Sequence, residues 1–331
     1  MLWIAVDAMG GDFAPAPAVE GAIAATRHFD LGVLLVGRAK AIGAELARRL
    51  DVDPDRVRIV DAPDVVDMDA APSSALRRMP GASISVAAEC VARGDAAALV
   101  SAGHTGATVM AAHGAFGMIA GVDRPALAAT IPTGDHTAIL LDVGASVGCR
   151  PQHLLQFAVM GSVYARLATD VARPRVGLLS IGEEETKGNE LTREAHRLLK
   201  AAPLEFIGNV EARRAYMGHA DVIVCDGFTG NVALKISEGL VDFIEAELTR
   251  TFATRVGSLL TRRALRHLRR RVDYSEYGGA PLLGVAGVTV VGHGRSNAKA
   301  MRNAVAMAYR FASSRFVGQI EHDIAALAIL H

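Results

Sequence analysis

Short apolar runs recur along the chain, and most are followed by a helical pattern before the next run begins. The runs fall at Trp3–Val6, Leu31–Val36, Val57–Val60, Ala97–Ser101, Ala138–Val143, Arg175–Ser180, Phe206–Gly208, Val222–Cys225 and Val288–Val291. Helical patterns are read at Ala16–His28, Lys40–Leu50, Ser83–Arg93, Thr105–Ile119, Pro151–Thr169, Glu190–Lys200, Gly230–Thr251 and Asn297–Phe316. Short Val/Ile/Leu runs alternating with Ala-rich stretches predict an α/β protein with a buried, largely parallel sheet. Hydrophobic residues make up 51% of the 331, enough for a sizeable core. No low-complexity linker interrupts the chain, so a single domain over 1–331, or two intertwined subdomains, is expected.

Lys+Arg and Asp+Glu balance at 35 each, which argues against a general nucleic-acid binder. The three cysteines, Cys90, Cys149 and Cys225, form no CxxC and no disulfide framework. They are expected to be buried thiols in a reducing cytoplasm. Leu2 to Val6 is too short for a signal-peptide core and lacks a basic flank. The weakly polar stretch from Gly106 to Val122 is expected to be a buried helix, since His113 and several glycines interrupt it. No metal site and no nucleotide fingerprint can be assembled, so no cofactor is expected.

Several turns carry chemistry-bearing residues. Val6-Asp7-Ala8-Met9-Gly10-Gly11-Asp12 leads from an apolar run into a glycine pair, where backbone can approach a ligand closely. Leu99-Val100-Ser101-Ala102-Gly103-His104-Thr105-Gly106 is echoed by Ile223-Val224-Cys225-Asp226-Gly227-Phe228-Thr229-Gly230. Each reads as strand, Gly-x-Thr-Gly, helix. Either two related halves each present a helix N-terminus to one anionic site, or Gly-rich turns coincide in an Ala/Gly-rich protein. The stretch from Ser180 to Glu190 concentrates Glu183, Glu184 and Glu185 with Lys187, which either neutralises those carboxylates or meets a phosphate. Asn231 and Lys235 are spaced to share one helix face. Gly292-His293-Gly294-Arg295-Ser296 places an imidazole, a guanidinium and a hydroxyl at a turn after a strand.

These segments together resemble the phosphate acyltransferase family of bacterial phospholipid synthesis. The matching residues are the opening through Asp12, Ala71-Pro72 with Arg77, Arg78 and Ser83, Leu141-Asp142-Val143-Gly144-Ala145 with Cys149, Gly182-Glu183-Glu184 with Lys187-Gly188, Phe206 to Glu211, Ala220 to Val232, Tyr277 to Gly284, and Gly292 to Ser296. Two positions depart. His104 and Ser146 stand where the family usually has Asn. The resemblance implies a three-layer α/β/α, isocitrate/isopropylmalate dehydrogenase-like mixed sheet, shared with phosphotransacetylases. It also implies long-chain acyl-acyl-carrier-protein and inorganic phosphate as substrates, and acyl-phosphate and free carrier protein as products. On this reading Lys187, His293 and Arg295 are the catalytic groups. Gly10, Gly11, Asp12, Gly103, His104, Thr105, Gly106, Asp226, Thr229 and Asn231 bind substrate. Direct phosphate attack, without an acyl-cysteine, is expected, and a phosphotransacetylase-like use of acyl-CoA is the alternative.

The segment 250–272 carries arginines at 250, 255, 262, 263, 266, 269, 270 and 271 and no acidic residue. On a helical wheel Leu260 and Leu268 lie on an apolar side, and most arginines, including Arg262, Arg263 and Arg266, lie on the other. Such a segment is expected to contact a membrane surface or the acidic carrier protein. This agrees with the peripheral, homodimeric, cytoplasmic habit that the resemblance implies.

Overall fold

The computed structural model describes residues 1–134, 136–169, 171–250 and 274–328. The chain divides into two compact units, Met1–Leu127 with Tyr277–His331, and Ala128–Glu276.

The first unit opens with β1 (Leu2–Asp7), α1 (Ala16–Thr26), β2 (Leu31–Gly37), α2 (Ala39–Ala47) and β3 (Val57–Asp61). It continues through α3 (Pro72–Arg78), α4 (Ser83–Ala92), β4 (Ala98–Ser101) and α5 (Thr105–Phe116). β5 (Ala126–Pro132) leads into the second unit, which holds β6 (Thr137–Leu141), α6 (Pro151–Thr169), β7 (Arg175–Ser180), α7 (Glu190–Ala201), β8 (Glu205–Glu211), β9 (Val222–Val224) and α8 (Gly227–Arg250). The chain then returns to the first unit with β10 (Ala280–Leu283), β11 (Val288–Val291), α9 (Ala298–Ser313) and α10 (Phe316–Ala328).

In the first unit the strand order is β3-β2-β1-β4-β11-β10. All neighbours are parallel except β10, which runs antiparallel to β11 and to the first residues of β5. The chain winds from β1 outward to β3, then reverses to place β4 on the other side of β1. Right-handed crossovers require helices on opposite faces for the two directions. Accordingly α1 packs on α2 and α9, while α4 packs on α5. The reversal leaves a crevice at the carboxyl ends of β1 and β4, where open α/β sheets bind ligands. In the second unit the order is β5-β6-β9-β7-β8, with β6, β9, β7 and β8 parallel. Here the carboxyl ends of β6, β9 and β7 stand side by side.

The expected alternation is present, and α6 spans the predicted residues. Two strands escaped the reading, β5 (Ala-Leu-Ala-Ala-Thr-Ile-Pro) and β10 (Ala-Pro-Leu-Leu). Both are antiparallel, and Ala and Pro are depleted in strands, so their pairing is imposed by neighbours rather than by propensity. The helix expected over Asn297–Phe316 ends at Ser313. Arg315 takes a left-handed φ of 54°, and a separate α10 follows. α3 was also unread. The stretch expected to be a buried helix from Gly106 to Val122 is helical only to Phe116 and half-buried, with Ala107, Thr108, Ala111 and Ala112 inside and Met110, His113 and Gly114 exposed, and no described helix is long and apolar enough to cross a membrane.

Candidate active site

Each unit builds its site from an aspartate at the end of one strand and a Gly-x-Thr-Gly turn at the end of its parallel neighbour.

In the first unit, Asp7 and Ser101 are register partners at the ends of β1 and β4. Ser101 Oγ donates to Asp7 Oδ2 at 2.7 Å, and the Met9 N–H donates to Oδ1 at 3.2 Å. Burial raises the Asp7 carboxyl above its ordinary value, outweighing the hydrogen bonds from Ser83, Ser101 and the backbone. Gly10 and Gly103 close over this carboxyl. A Cβ on Gly10 would lie 2.7 Å from both Asp7 Oδ2 and Gly103 N, so only glycine fits. Gly11 has a φ of 104° and lies against the Gly294 carbonyl, which accepts a bond of 2.8 Å from the Asp12 N–H. The Gly-Gly-Asp turn is thereby tied to the Gly-His-Gly-Arg-Ser turn. His293 Nδ1 accepts from the Arg295 N–H at 3.2 Å, so a neutral imidazole carries its proton on Nε2. His104 caps α5, Nδ1 accepting from the Ala107 N–H at 3.4 Å, and its ring lies against Gly106. Gly10, Gly11, Asp12, Gly103, His104, Thr105, Gly106, His293 and Arg295 are therefore loop and helix-start residues at the carboxyl ends of β1, β4 and β11.

In the second unit, Asp142 follows β6 and lies beside Cys225, which follows β9. The Asp142 N–H donates to the Cys225 carbonyl at 3.1 Å. Asp142 is fully buried, and three backbone N–H groups converge on its carboxylate: Gly144 at 3.0 Å, Ala145 at 3.0 Å and Ser146 at 2.6 Å. Asp226 caps α8 with both oxygens, accepting from Phe228 N, Thr229 N and Thr229 Oγ1 at 3.1, 3.0 and 2.6 Å. Asn231 Nδ2 donates to the Val143 carbonyl at 3.1 Å, so Asn231 clamps the loop after β6. Asp226, Thr229 and Asn231 are thus brought together. Lys187 stands in the neighbouring loop after β7, its stem laid against Gly182. Two of the three adjacent acids are matched elsewhere, Glu183 by Arg214 at 2.6 Å and Glu185 by Lys200 at 3.1 Å, while the Glu184 carboxylate lies against Gly182 beside the Lys187 stem. Lys200 is also the main reason the Glu185 carboxyl lies below its usual value. Among the described residues no ion pair joins Lys187 to a carboxylate.

The two departures are absorbed locally. His104 supplies a cap acceptor. Ser146 works through its backbone, giving an N–H to Asp142 and a carbonyl to the Gly227 N–H at 2.9 Å. Asp7, Ser101 and Asp142 were missed as site builders. Their signal was present, since each ends an apolar run two or three residues before a glycine. Arg262, Arg263, Arg266, Leu260 and Leu268 lie outside the described residues. No group of His, Cys, Asp and Glu among the described residues could hold a metal.

Residues 2–319 match the family described as fatty acid synthesis protein. The phosphate acyltransferase of Heliobacterium modesticaldum is 50% identical over 325 residues, 97% of each chain. That of Acidobacterium capsulatum is 48% identical over 332 residues, 99% of this chain and 98% of the relative. The chain belongs to the phosphate acyltransferase family. Among solved structures, a phosphotransacetylase from Streptococcus pyogenes shares the fold, with a TM-score of 0.66 at 17% identity over 95% of this chain and 94% of that one. A phosphotransacetylase from Staphylococcus aureus gives 0.56 at 16% identity over the same shares. The expected phosphotransacetylase-type α/β architecture is therefore the observed one, and the family makes this member an acyltransferase.

Proposed function

We propose that this chain transfers a long-chain acyl group from acyl carrier protein to inorganic phosphate, feeding phospholipid synthesis. The observation that carries the reading is the collapsed glycine turn at the ends of β1 and β4, joined through Gly294 to the turn bearing His293 and Arg295. Glycine backbone, a donor imidazole and a guanidinium suit a tetrahedral or phosphate oxyanion. A phosphate oxygen attacks the thioester carbonyl, the new C–O bond forms, and the C–S electron pair leaves with the carrier thiolate. Phosphate is largely dianionic at neutral pH, so the demand on the protein is positioning and charge stabilisation. Lys187, His293 and Arg295 take those roles, and no metal or organic cofactor is required.

Direct attack is favoured over an acyl-cysteine. Cys225 is buried, and burial pushes its thiol well above the ordinary value, against thiolate formation. Cys149 Sγ donates to the Ser146 carbonyl at 3.3 Å.

Phe228, Val232, Ile236, Leu240, Phe243 and Ile244 form an exposed apolar row along α8. Such a face marks an interaction surface. A second copy of the chain is its proposed occupant, and the basic segment 250–272 is the proposed contact with the inner membrane surface. Ile236→Glu would convert a dimer to a monomer in light scattering. An unchanged mass would remove the dimer from this reading.

The primary test is hydroxylamine-sensitive acyl-phosphate formation by pure protein from long-chain acyl carrier protein and phosphate, with acyl-CoA in parallel. Turnover with the carrier-bound substrate is expected. Turnover with acyl-CoA alone would move the assignment to a phosphotransacetylase-like activity. Silence with both, from folded protein, would favour a scaffold that kept the fold.

A further inference from the structure

The segment Phe206-Ile207-Gly208-Asn209-Val210-Glu211 reaches the proposed machinery only indirectly, and its geometry shows how. Asn209, on β8, is buried. Its Nδ2 donates to the Glu184 carbonyl at 2.8 Å, inside the loop that carries Lys187. A carbonyl only accepts, so the atom facing Glu184 is the amide nitrogen, and Oδ1 faces the other way. There it meets His196 Nδ1 at 3.0 Å, which must carry the ring proton. His196, on α7, is buried as well, with its Nε2 3.8 Å from Glu185 Oε2. Phe206 packs edge-on against the imidazole at 5.0 Å. Gly208, with a φ of 95°, adjoins the register shift between β7 and β8, and a Cβ there would lie 3.9 Å from the imidazole.

We propose that His196 and Asn209 are positioning residues that lock the loop from Ile181 to Asn189, and with it Lys187, onto α7 and β8. The inference deepens the acyl-phosphate reading and rests on it for the role of Lys187. Physically, three adjacent exposed carboxylates repel one another, and the ion pairs of Glu183 with Arg214 and of Glu185 with Lys200 are solvent-exposed and hold the loop only weakly. One hydrogen bond from the buried Asn209 amide to the loop, itself fixed by a second from the His196 imidazole, opposes that repulsion, because breaking them leaves buried polar groups unpaired. A catalytic ammonium misplaced by about 1 Å loses on the order of 100-fold in rate.

The test uses the full chain and two readouts. Hydrogen exchange in residues 181–189 is compared between wild type, Asn209→Ala, His196→Leu and His196→Asn, with β1 as internal reference. The last variant keeps a donor where Nδ1 stood. In parallel, kcat and KM for inorganic phosphate are measured in the acyl-phosphate assay. Exchange in the loop is expected to speed up about 10-fold or more in Asn209→Ala and His196→Leu, with β1 unchanged, and to recover in His196→Asn. KM for phosphate is expected to rise about 10-fold in the first two and to recover with the same variant. Unchanged loop exchange would overturn the lock. Faster exchange with unaltered phosphate kinetics would overturn the positioning role. A wild type that makes no acyl-phosphate would defeat the functional reading instead, and loop exchange would still decide the lock.

Discussion

The two strand–turn–helix cradles share a plan but not a chemistry. In the first unit Asp7 is held by hydroxyls and lies under a loosely capped helix. His104 offers α5 one acceptor at 3.4 Å. In the second unit Asp142 is wrapped by three backbone N–H groups, and Asp226 caps α8 through three bonds. The glycines differ in the same sense. Gly103 has its nearest neighbours 3.2 to 3.4 Å from a Cβ position, whereas the equivalent Gly227 has Asp142 Oδ2 and the Ser146 carbonyl at 2.7 Å. The second cradle is therefore a rigid, charge-satisfied turn. The first holds a carboxyl that burial pushes toward its neutral form, and it is more loosely capped.

The sharpest way to break this comparison is to add a methyl group to matched glycines. A Cβ on Gly230 would collide with the Asp142 carbonyl backbone, whereas on Gly106 it would meet mainly the Pro72 and His104 side chains. Gly230→Ala is expected to destabilise by about 3 kcal/mol and Gly106→Ala by about 1 kcal/mol in urea unfolding. Equal losses would mean the turns are equally tight.

Neutralising the two aspartates comes next. Asp142→Asn turns an amide toward N–H donors and is expected to cost about 2 kcal/mol. Asp7→Asn is expected to leave stability at neutral pH unchanged or higher by about 1 kcal/mol, while lowering acyl-phosphate formation.

The pH dependence gives the Asp7 sign directly. Its folded value is raised above 3.8, so the native state holds the proton more tightly than the unfolded state. That contribution is fully present below the unfolded value and is lost as pH rises through the folded one. The stability of Asp7→Asn relative to wild type should accordingly grow as pH rises through that window. A flat difference across a pH series of unfolding curves would contradict the assignment.

The smallest effects fall on the caps. Asp226→Ala is expected to cost about 1–2 kcal/mol, His104→Ala less than about 1 kcal/mol, and His104→Asn to gain a few tenths. Thermal unfolding of the three variants orders them.

Much of this was readable in the chain. The glycine turns, the echo between Gly103-His104-Thr105-Gly106 and Gly227-Phe228-Thr229-Gly230, and the Gly-His-Gly-Arg-Ser turn stand where the apolar runs placed them. Each is a local strand-to-helix junction. What escaped was non-local. β5 and β10 carry Ala and Pro and become strands only by pairing with each other and with their neighbours. Asn209 read as part of a motif, but its partners, Glu184 and His196, lie 25 and 13 residues away. Lys187 has two readings in sequence, and the pairing of Glu183 with Arg214 and of Glu185 with Lys200 is visible only in the fold.

By itself, then, the sequence determined the α/β class and the positions of the turns, because strand period, helix period and glycine conformation are properties of adjacent residues, and the spelling of its motifs carried the family resemblance. Tertiary structure decided which aspartate is pushed toward its neutral form by burial and which is wrapped by N–H groups. It also decided which cations pair with Glu183 and Glu185 and which amide meets the Glu184 carbonyl. Those outcomes depend on desolvation and on hydrogen-bond partners that are brought together only when distant strands lie side by side.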